Sequence, residues 1–232
     1  MKPLIGIVSR PNISIGKSDC QIMEEVYRNA IINSGGIPFM ISPMQNISYN
    51  SVKPRDVSPM SEDEKSDLNR LLELCDGILI PGGRKVYEYD FYICEYAKDN
   101  NIPILGICAG MQTMARLDSD INLEKLENNN HEGLDDEYTH SVNIMKDTLL
   151  YKIIGKDNIE VNSFHSYKVN SKGSSIYIFN AFSSEDNIIE GIEYPNNRFY
   201  LGVQWHPERC FDDNNKKLFK YFINECKKTN QK

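Results

Sequence analysis

The stretch Asn101-Ile102-Pro103-Ile104-Leu105-Gly106-Ile107-Cys108-Ala109-Gly110-Met111-Gln112 decides how the rest of the chain is read. Its apolar run, residues 102–107, is too short for a core helix and predicts a buried strand. The run stops at Gly-Ile-Cys-Ala-Gly, and residues 111–117 then take up helical spacing. A strand that breaks sharply into a helix, with glycines on both sides of a Cys, has the form of a nucleophile elbow. The glycines are needed because the bend is strained and neighbouring backbones pass close to it. Cys108 is thereby expected at a helix N-terminus, where unpaired N–H groups and the macrodipole favour thiolate over thiol. A buried, inert Cys is the commoner fate of this residue, so the elbow needs partners to carry a chemical reading.

Those partners lie about a hundred positions downstream, in Phe199-Tyr200-Leu201-Gly202-Val203-Gln204-Trp205-His206-Pro207-Glu208. A second apolar strand there delivers a His followed, two positions on, by a carboxylate. A thiol nucleophile needs a base within hydrogen-bond reach, and the base needs an acceptor to fix its tautomer. Cys108, His206 and Glu208 supply these three roles and are the expected catalytic set.

Gly106-x-Cys108-x-Gly110-x-Gln112 together with Gln204-Trp205-His206-Pro207-Glu208 resembles the class I glutamine amidotransferase-like superfamily. Pro3-Leu4-Ile5-Gly6-Ile7, the segment from Ala30 through Gly35-Gly36-Ile37-Pro38, and Val161-Asn162-Ser163-Phe164-His165 narrow the resemblance. They look like the γ-glutamyl hydrolase branch, peptidase family C26, and within it the γ-glutamyl-γ-aminobutyrate hydrolase group. The resemblance implies a three-layer α/β/α sandwich with a mostly parallel central sheet, the flavodoxin-like class I glutamine amidotransferase fold. It also implies backbone donors for an oxyanion at Gly83 and Ala109, and contacts to a γ-glutamyl group from Gly82, Gln112, Ser163, Phe164 and His165. Two features depart from the family pattern: Arg84-Lys85 stand where an Asp often follows the glycines, and no glycine pair follows Met114.

At 232 residues the chain suits a single α/β domain with ample core, and the resemblance makes residues 1–232 one class I glutamine amidotransferase-like domain. The chain is 40% hydrophobic and 25% charged, and its net charge of −7 argues against a nucleic-acid footprint. No apolar run is long enough to span a bilayer, and Met1-Lys2-Pro3 leads straight into a strand rather than a secretory leader. The expectation is a cytoplasmic protein without nucleic-acid or membrane partners. Six cysteines show no C-x-x-C pair and no His spacing for zinc. Neither a metal nor a cofactor is expected; Cys75 and Cys94 read as core, and Cys210 as filler.

Taken in order, residues 4–8 predict a strand, 19–33 an amphipathic helix ended by Gly35-Gly36, and 37–41 the next strand. Residues 43–59 read as a surface loop, and Ser61 to Glu64 as a capping box opening a helix through Cys75. Strand 76–81 leads to Pro81-Gly82-Gly83, and helix 86–99 to the elbow. Residues 128–132 are polar and predict a loop, so His131 and His140 are expected to be solvated and are left out of the site. Further strands are expected at 142–145, 159–161, 175–182, 188–193 and 199–205, with helices at 149–154 and 213–226.

The activity implied is hydrolysis of a γ-glutamyl amide through a γ-glutamyl thioester. A glutaminase subunit delivering ammonia to a synthase, or a silent binding relative, are the alternatives. The expected partner is a small γ-glutamyl molecule, with a homodimer and a synthase partner left open.

Overall fold

The computed structural model describes the whole chain except residues 15, 46, 48–58, 128, 129, 134–136, 138, 174 and 229–232. Most of the loop expected at 43–59, and residues 128 and 129 of the polar segment after the elbow, therefore lie outside the described residues.

The chain opens with β1 (Leu4–Val8), then a hairpin of β2 (Arg10–Ile13) and β3 (Asp19–Ile22), then α1 (Glu25–Ser34) and β4 (Ile37–Ile41). α2 (Glu62–Leu72), β5 (Gly77–Ile80), α3 (Glu88–Asp99), β6 (Ile104–Ile107) and α4 (Ala109–Ala115) follow. The second half runs β7 (Ile121–Lys125), β8 (His140–Ile144), α5 (Leu149–Ile154), β9 (Asn158–Val161) and β10 (Tyr167–Ser171). It closes with β11 (Ile178–Ser183), β12 (Ile189–Glu193), β13 (Tyr200–Val203) and α6 (Asp213–Lys227).

The main sheet has the order β4-β1-β5-β6-β13-β12-β11-β8-β9, with β10 and β7 attached beside β12. Every pairing from β4 to β13 is parallel. From β13 outward the neighbours are antiparallel. This is the α/β sandwich that the sequence implies, with its parallel core extended by an antiparallel wing.

Side-chain alternation along the strands divides the core into two layers. Ile5, Ile7, Leu79, Leu105, Ile107, Leu201 and Val203 pack on one face with residues of α1, α5 and α6. Val8, Ile78, Ile80, Ile104 and Tyr200 pack on the other with α2, α3 and α4. Because β5, β6 and β13 are adjacent and parallel, their carboxyl ends emerge side by side, where open α/β sheets build sites.

The helix ends follow local chemistry. Ser61 and Glu64 form the expected capping box, and Gly35 closes α1 in the left-handed region at φ 95°. The buried carboxylate of Glu193 takes the N–H groups of Leu149 and Leu150 at the start of α5.

Two expectations are corrected. Residues 19–22 belong to a strand, not to the first helix, which begins at Glu25. Ile22 has helical spacing to Val26 and Ala30, yet its backbone pairs with Arg10 across the hairpin. β7 and β10 went unpredicted because both are short and polar; they exist by pairing with each other. The stretch after Met114 is ordered without a glycine pair. Asp118 accepts from Asp120 N, Ile176 N and Ser175 Oγ, and Tyr177 donates to the Met114 carbonyl. Among the described residues, no helix is long and apolar enough to cross a membrane.

Candidate active site

The elbow at the end of β6 is strained. Cys108 has φ 52° and ψ −108°, a backbone conformation that a residue with a Cβ rarely adopts. The surroundings over-determine it. Gly106 and Gly202 face each other in register on β6 and β13, and together they leave a bed for α4. A Cβ on Gly202 would fall 2.9 Å from Met111 Cβ, and one on Gly106 would collide with the Met114 sulfur. A Cβ on Gly110 would run into the Ile80 carbonyl oxygen. All seven residues of α4 are buried, so the helix cannot shift to relax the turn.

β13 brings the second half of the site to the same place. His206 Nδ1 lies 2.7 Å from Glu208 Oε1, both residues being buried. The Oε1 acceptor assigns the ring proton to Nδ1 and leaves Nε2 for a reacting proton. Burial works against a charged ring here, but the Glu208 carboxylate and the Cys108 side chain outweigh it, so His206 titrates well above the usual imidazole range.

The turn after β5 closes the site from a third side. A Cβ on Gly82 would lie 2.9 Å from His206 Cε1 and 3.6 Å from Cys108 Cβ, so only glycine fits between them. Gly82 donates its N–H to Tyr27 Oη at 3.0 Å, which removes Gly82 as an oxyanion donor. Burial, then the neighbouring Glu208, push the Tyr27 phenol well above its ordinary range, and it serves as a neutral acceptor. Gly83 stands exposed one residue on. Ala109, as the first residue of α4, has no acceptor within the helix for its N–H.

Two residues hold this arrangement in roles that the sequence did not assign to them. Arg10 donates to the carbonyls of Pro81 and Gly82 at 2.6 and 3.1 Å and pairs with the buried Asp90 at 2.5 Å. Its own burial opposes the charge, but Asp90 more than offsets this and raises its pKa. Asn162 brackets the backbone of His206, donating to its carbonyl and accepting from its N–H, both at 3.0 Å. Asn162 stood inside a quoted motif; nothing in the spacing links Arg10 to the glycine turn.

The expected substrate-binding residues separate. The Phe164 carbonyl accepts from Cys108 Sγ at 3.9 Å, and the residue is 49% exposed. Gln112 is spent inside the fold, its Nε2 donating to the Tyr167 carbonyl and to Gln204 Oε1, so only its oxygen remains for a ligand. Ser163 donates to the His131 carbonyl at 3.0 Å, and His165 turns its Nε2 towards Glu190. His131 and His140, expected in solvent, are 2% and 4% exposed and buried in the same cluster. The polar sequence around them hid this, because their partners come from distant strands.

Burial pushes the thiols of Cys94 and Cys226 well above their ordinary range and that of Cys75 up to about 12. They are packing residues.

The chain resembles known proteins in ways that agree with this geometry. A CTP synthase of Borreliella burgdorferi is 33% identical over 199 residues, covering 69% of this chain and 37% of that protein. The chain thus spans well under half the length of this relative. A glutamine amidotransferase-like protein of Rickettsia prowazekii is 27% identical and is matched almost end to end, over 97% of this chain and 98% of the relative. The glutaminase domain of Trypanosoma brucei CTP synthase superimposes with a TM-score of 0.67 at 18% identity, covering 97% of this chain and 94% of that domain. A glutamine amidotransferase of Thermotoga maritima superimposes with a TM-score of 0.57 at 14% identity, over 100% of this chain and 87% of its own. At such identities these two speak for the fold alone. The Peptidase C26 family model matches residues 87–208, from the start of α3 to the Glu208 carboxylate, and the chain belongs to the Peptidase C26 family within the class I glutamine amidotransferase-like superfamily.

Proposed function

We propose that this protein is a cysteine-dependent hydrolase that cleaves the γ-glutamyl amide bond of a small γ-glutamyl compound, of the γ-glutamyl-γ-aminobutyrate kind. The observation that carries the reading is the strained Cys108 elbow beside a His206 whose Nδ1 is fixed by Glu208 at 2.7 Å. His206 Nε2 takes the Cys108 proton, and the sulfur adds to the amide carbonyl. The resulting oxyanion is met by the N–H groups of Gly83 and Ala109, each worth roughly 3–4 kcal/mol of barrier. His206 returns the proton to the leaving amine as the C–N bond breaks, leaving a γ-glutamyl thioester. Water, deprotonated by His206, then adds to the thioester, and the C–S bond breaks to release glutamate and restore the thiol. The Phe164 carbonyl and the Gln112 oxygen supply acceptors for the amino end of the substrate.

A second reading is favoured by the CTP synthase relatives: a glutaminase whose ammonia passes to a synthase partner. One assay separates the two. Purified protein alone is offered glutamine, γ-glutamyl-γ-aminobutyrate and γ-glutamyl peptides, with release of amine or ammonia measured. The hydrolase reading expects turnover of the γ-glutamyl compounds that Cys108→Ala abolishes. Glutamine turnover only, appearing when a synthase is added, would replace it with the second.

A further inference from the structure

Three of the chain's four histidines meet outside the Cys108 site, around one carboxylate. Glu190 sits on β12 with none of its surface exposed. His131 Nδ1, His140 Nε2 and His165 Nε2 approach its Oε1 to 3.4, 3.5 and 3.4 Å. The rings are packed together, His131 lying 4.5 Å from His140 and 4.7 Å from His165 between centroids.

These separations are too long for ordinary N–H···O bonds, which run about 2.7–3.2 Å. Among the described residues neither Glu190 oxygen, neither His140 nitrogen, nor His165 Nε2 has a hydrogen-bond partner. A buried carboxylate surrounded by unpaired polar atoms costs several kcal/mol unless a cation satisfies it.

The outward-facing nitrogens say what kind of cation. His131 Nε2 lies 3.0 Å from Asp186 Oδ2, and His165 Nδ1 lies 3.0 Å from the Tyr167 carbonyl. Carboxylate and carbonyl oxygens only accept, so each of these nitrogens carries the ring proton. With a cation in place of the inner proton, His131 Nδ1, which also lies 3.4 Å from Ser163 Oγ, would present its lone pair to that cation. Metal-binding histidines are held in this way, the far N–H anchored to a carboxylate or backbone carbonyl. The spacing fits three of the groups: ligand atoms, one each from His131, His140 and Glu190, lie within 4.8 Å of one another, close enough for one ion to gather them at about 2.0–2.2 Å, whereas His165 does not join all three at that spacing.

We propose that His131, His140 and Glu190 form a site for a divalent first-row transition ion, Zn2+ by its donor set, with His165 packed beside it. Three protein ligands leave a fourth position to a water, and because the site lies outside the Cys108 centre its work is to fix the backbone. The segment 131–133 is already zipped to 163–165 by Gly133 N to Ser163 O and His165 N to His131 O, at 2.8 and 2.9 Å. Asn162 on the same loop clamps His206, and Phe164 faces Cys108. An ion at Glu190 would pin this loop to β8 and β12 without touching the reacting atoms.

The test uses the full chain, without a polyhistidine tag, stripped with chelator and titrated with Zn2+ and with Co2+. Retention of about one Zn2+ per chain through gel filtration is expected, together with the intense visible bands of tetrahedral Co2+. His140→Ala and Glu190→Gln should each abolish stoichiometric uptake, and Cys108→Ala should not. Should the variants fail to fold, X-ray absorption of the wild-type Co2+ protein decides, with nitrogen and oxygen neighbours alone expected. The proposal is overturned by wild-type uptake below about a tenth of an equivalent of either ion. Uptake unchanged in both variants, or sulfur in the coordination shell, overturns it equally. None of these readouts depends on turnover, so the site stands or falls separately from the hydrolase reading.

Discussion

Asn162 and His206 form a closed pair: the amide of one side chain both donates to and accepts from the backbone of the other residue, at 3.0 Å in each direction. The proposed base is therefore held by its peptide as well as by its ring. Asn162→Leu keeps the volume and removes both bonds. Each buried backbone group left unpaired costs about 1–3 kcal/mol, and we expect stability to fall by about that much or somewhat more. Turnover should drop at least tenfold, with KM less affected. Urea unfolding and steady-state kinetics test this; unchanged stability together with unchanged kcat would refute the clamp.

The strain at Cys108 predicts an ordering between two variants that lack the thiol. Cys108→Gly and Cys108→Ala both remove the thiol, but only glycine adopts φ 52° without penalty. Cys108→Gly should be the more stable by about 1 kcal/mol. Equal stabilities would mean that the elbow stores no strain in the backbone.

Members of a catalytic triad act as a unit, so under the proposed mechanism the losses should not multiply. Cys108→Ala and His206→Ala are each expected to abolish turnover nearly completely, and the double variant should be little worse than either. Iodoacetamide near neutral pH should label Cys108 ahead of the buried Cys75, Cys94 and Cys226, whose thiols burial pushes up. Peptide mapping that finds one of those three labelled first would contradict the assignment.

Arg10 carries a prediction about the glycine turn. Arg10→Met leaves Asp90 buried and uncompensated, which costs about 3–5 kcal/mol. The double variant Arg10→Met/Asp90→Leu should recover much of that stability yet remain slow, because nothing then holds the carbonyls of Pro81 and Gly82. Full recovery of kcat in the double variant would show that the turn needs no anchor.

The pH dependence of stability follows from His206. Its pKa is raised in the folded state, so the stabilisation is complete below the unfolded value of about 6.5. It is lost as pH rises through the folded value. In a Cys108→Ala background, which removes the neighbouring thiol, the protein should lose stability over that window. Adding Glu208→Gln should flatten the curve, because the carboxylate that favours the charged ring is gone. Unfolding free energies between about pH 6 and pH 10 check this, and parallel curves for the two proteins would overturn it.

The sequence by itself determined what depends on neighbours along the chain. The elbow was legible because strand, glycines, Cys and helix are contiguous. The His206–Glu208 relation was legible because two positions suffice to express it. The helices at α2, α3, α5 and α6 were legible because one face of each is apolar at the helical period, and the strands of the parallel core because they are short, continuous apolar runs buried on both faces. Tertiary structure alone decided the rest. Ile22 fits a helix by spacing and sits in a hairpin because Arg10 lies opposite it. Arg10 in turn matters only because β1 and β5 are paired, which carries its guanidinium to the carbonyls of Pro81 and Gly82. His131, His140 and His165 each look like a lone polar residue in sequence, and only the antiparallel wing of the sheet gathers them on Glu190. Local periodicity encodes which side of an element is buried, whereas the partner it is buried against is set by the packing of elements far apart in the chain.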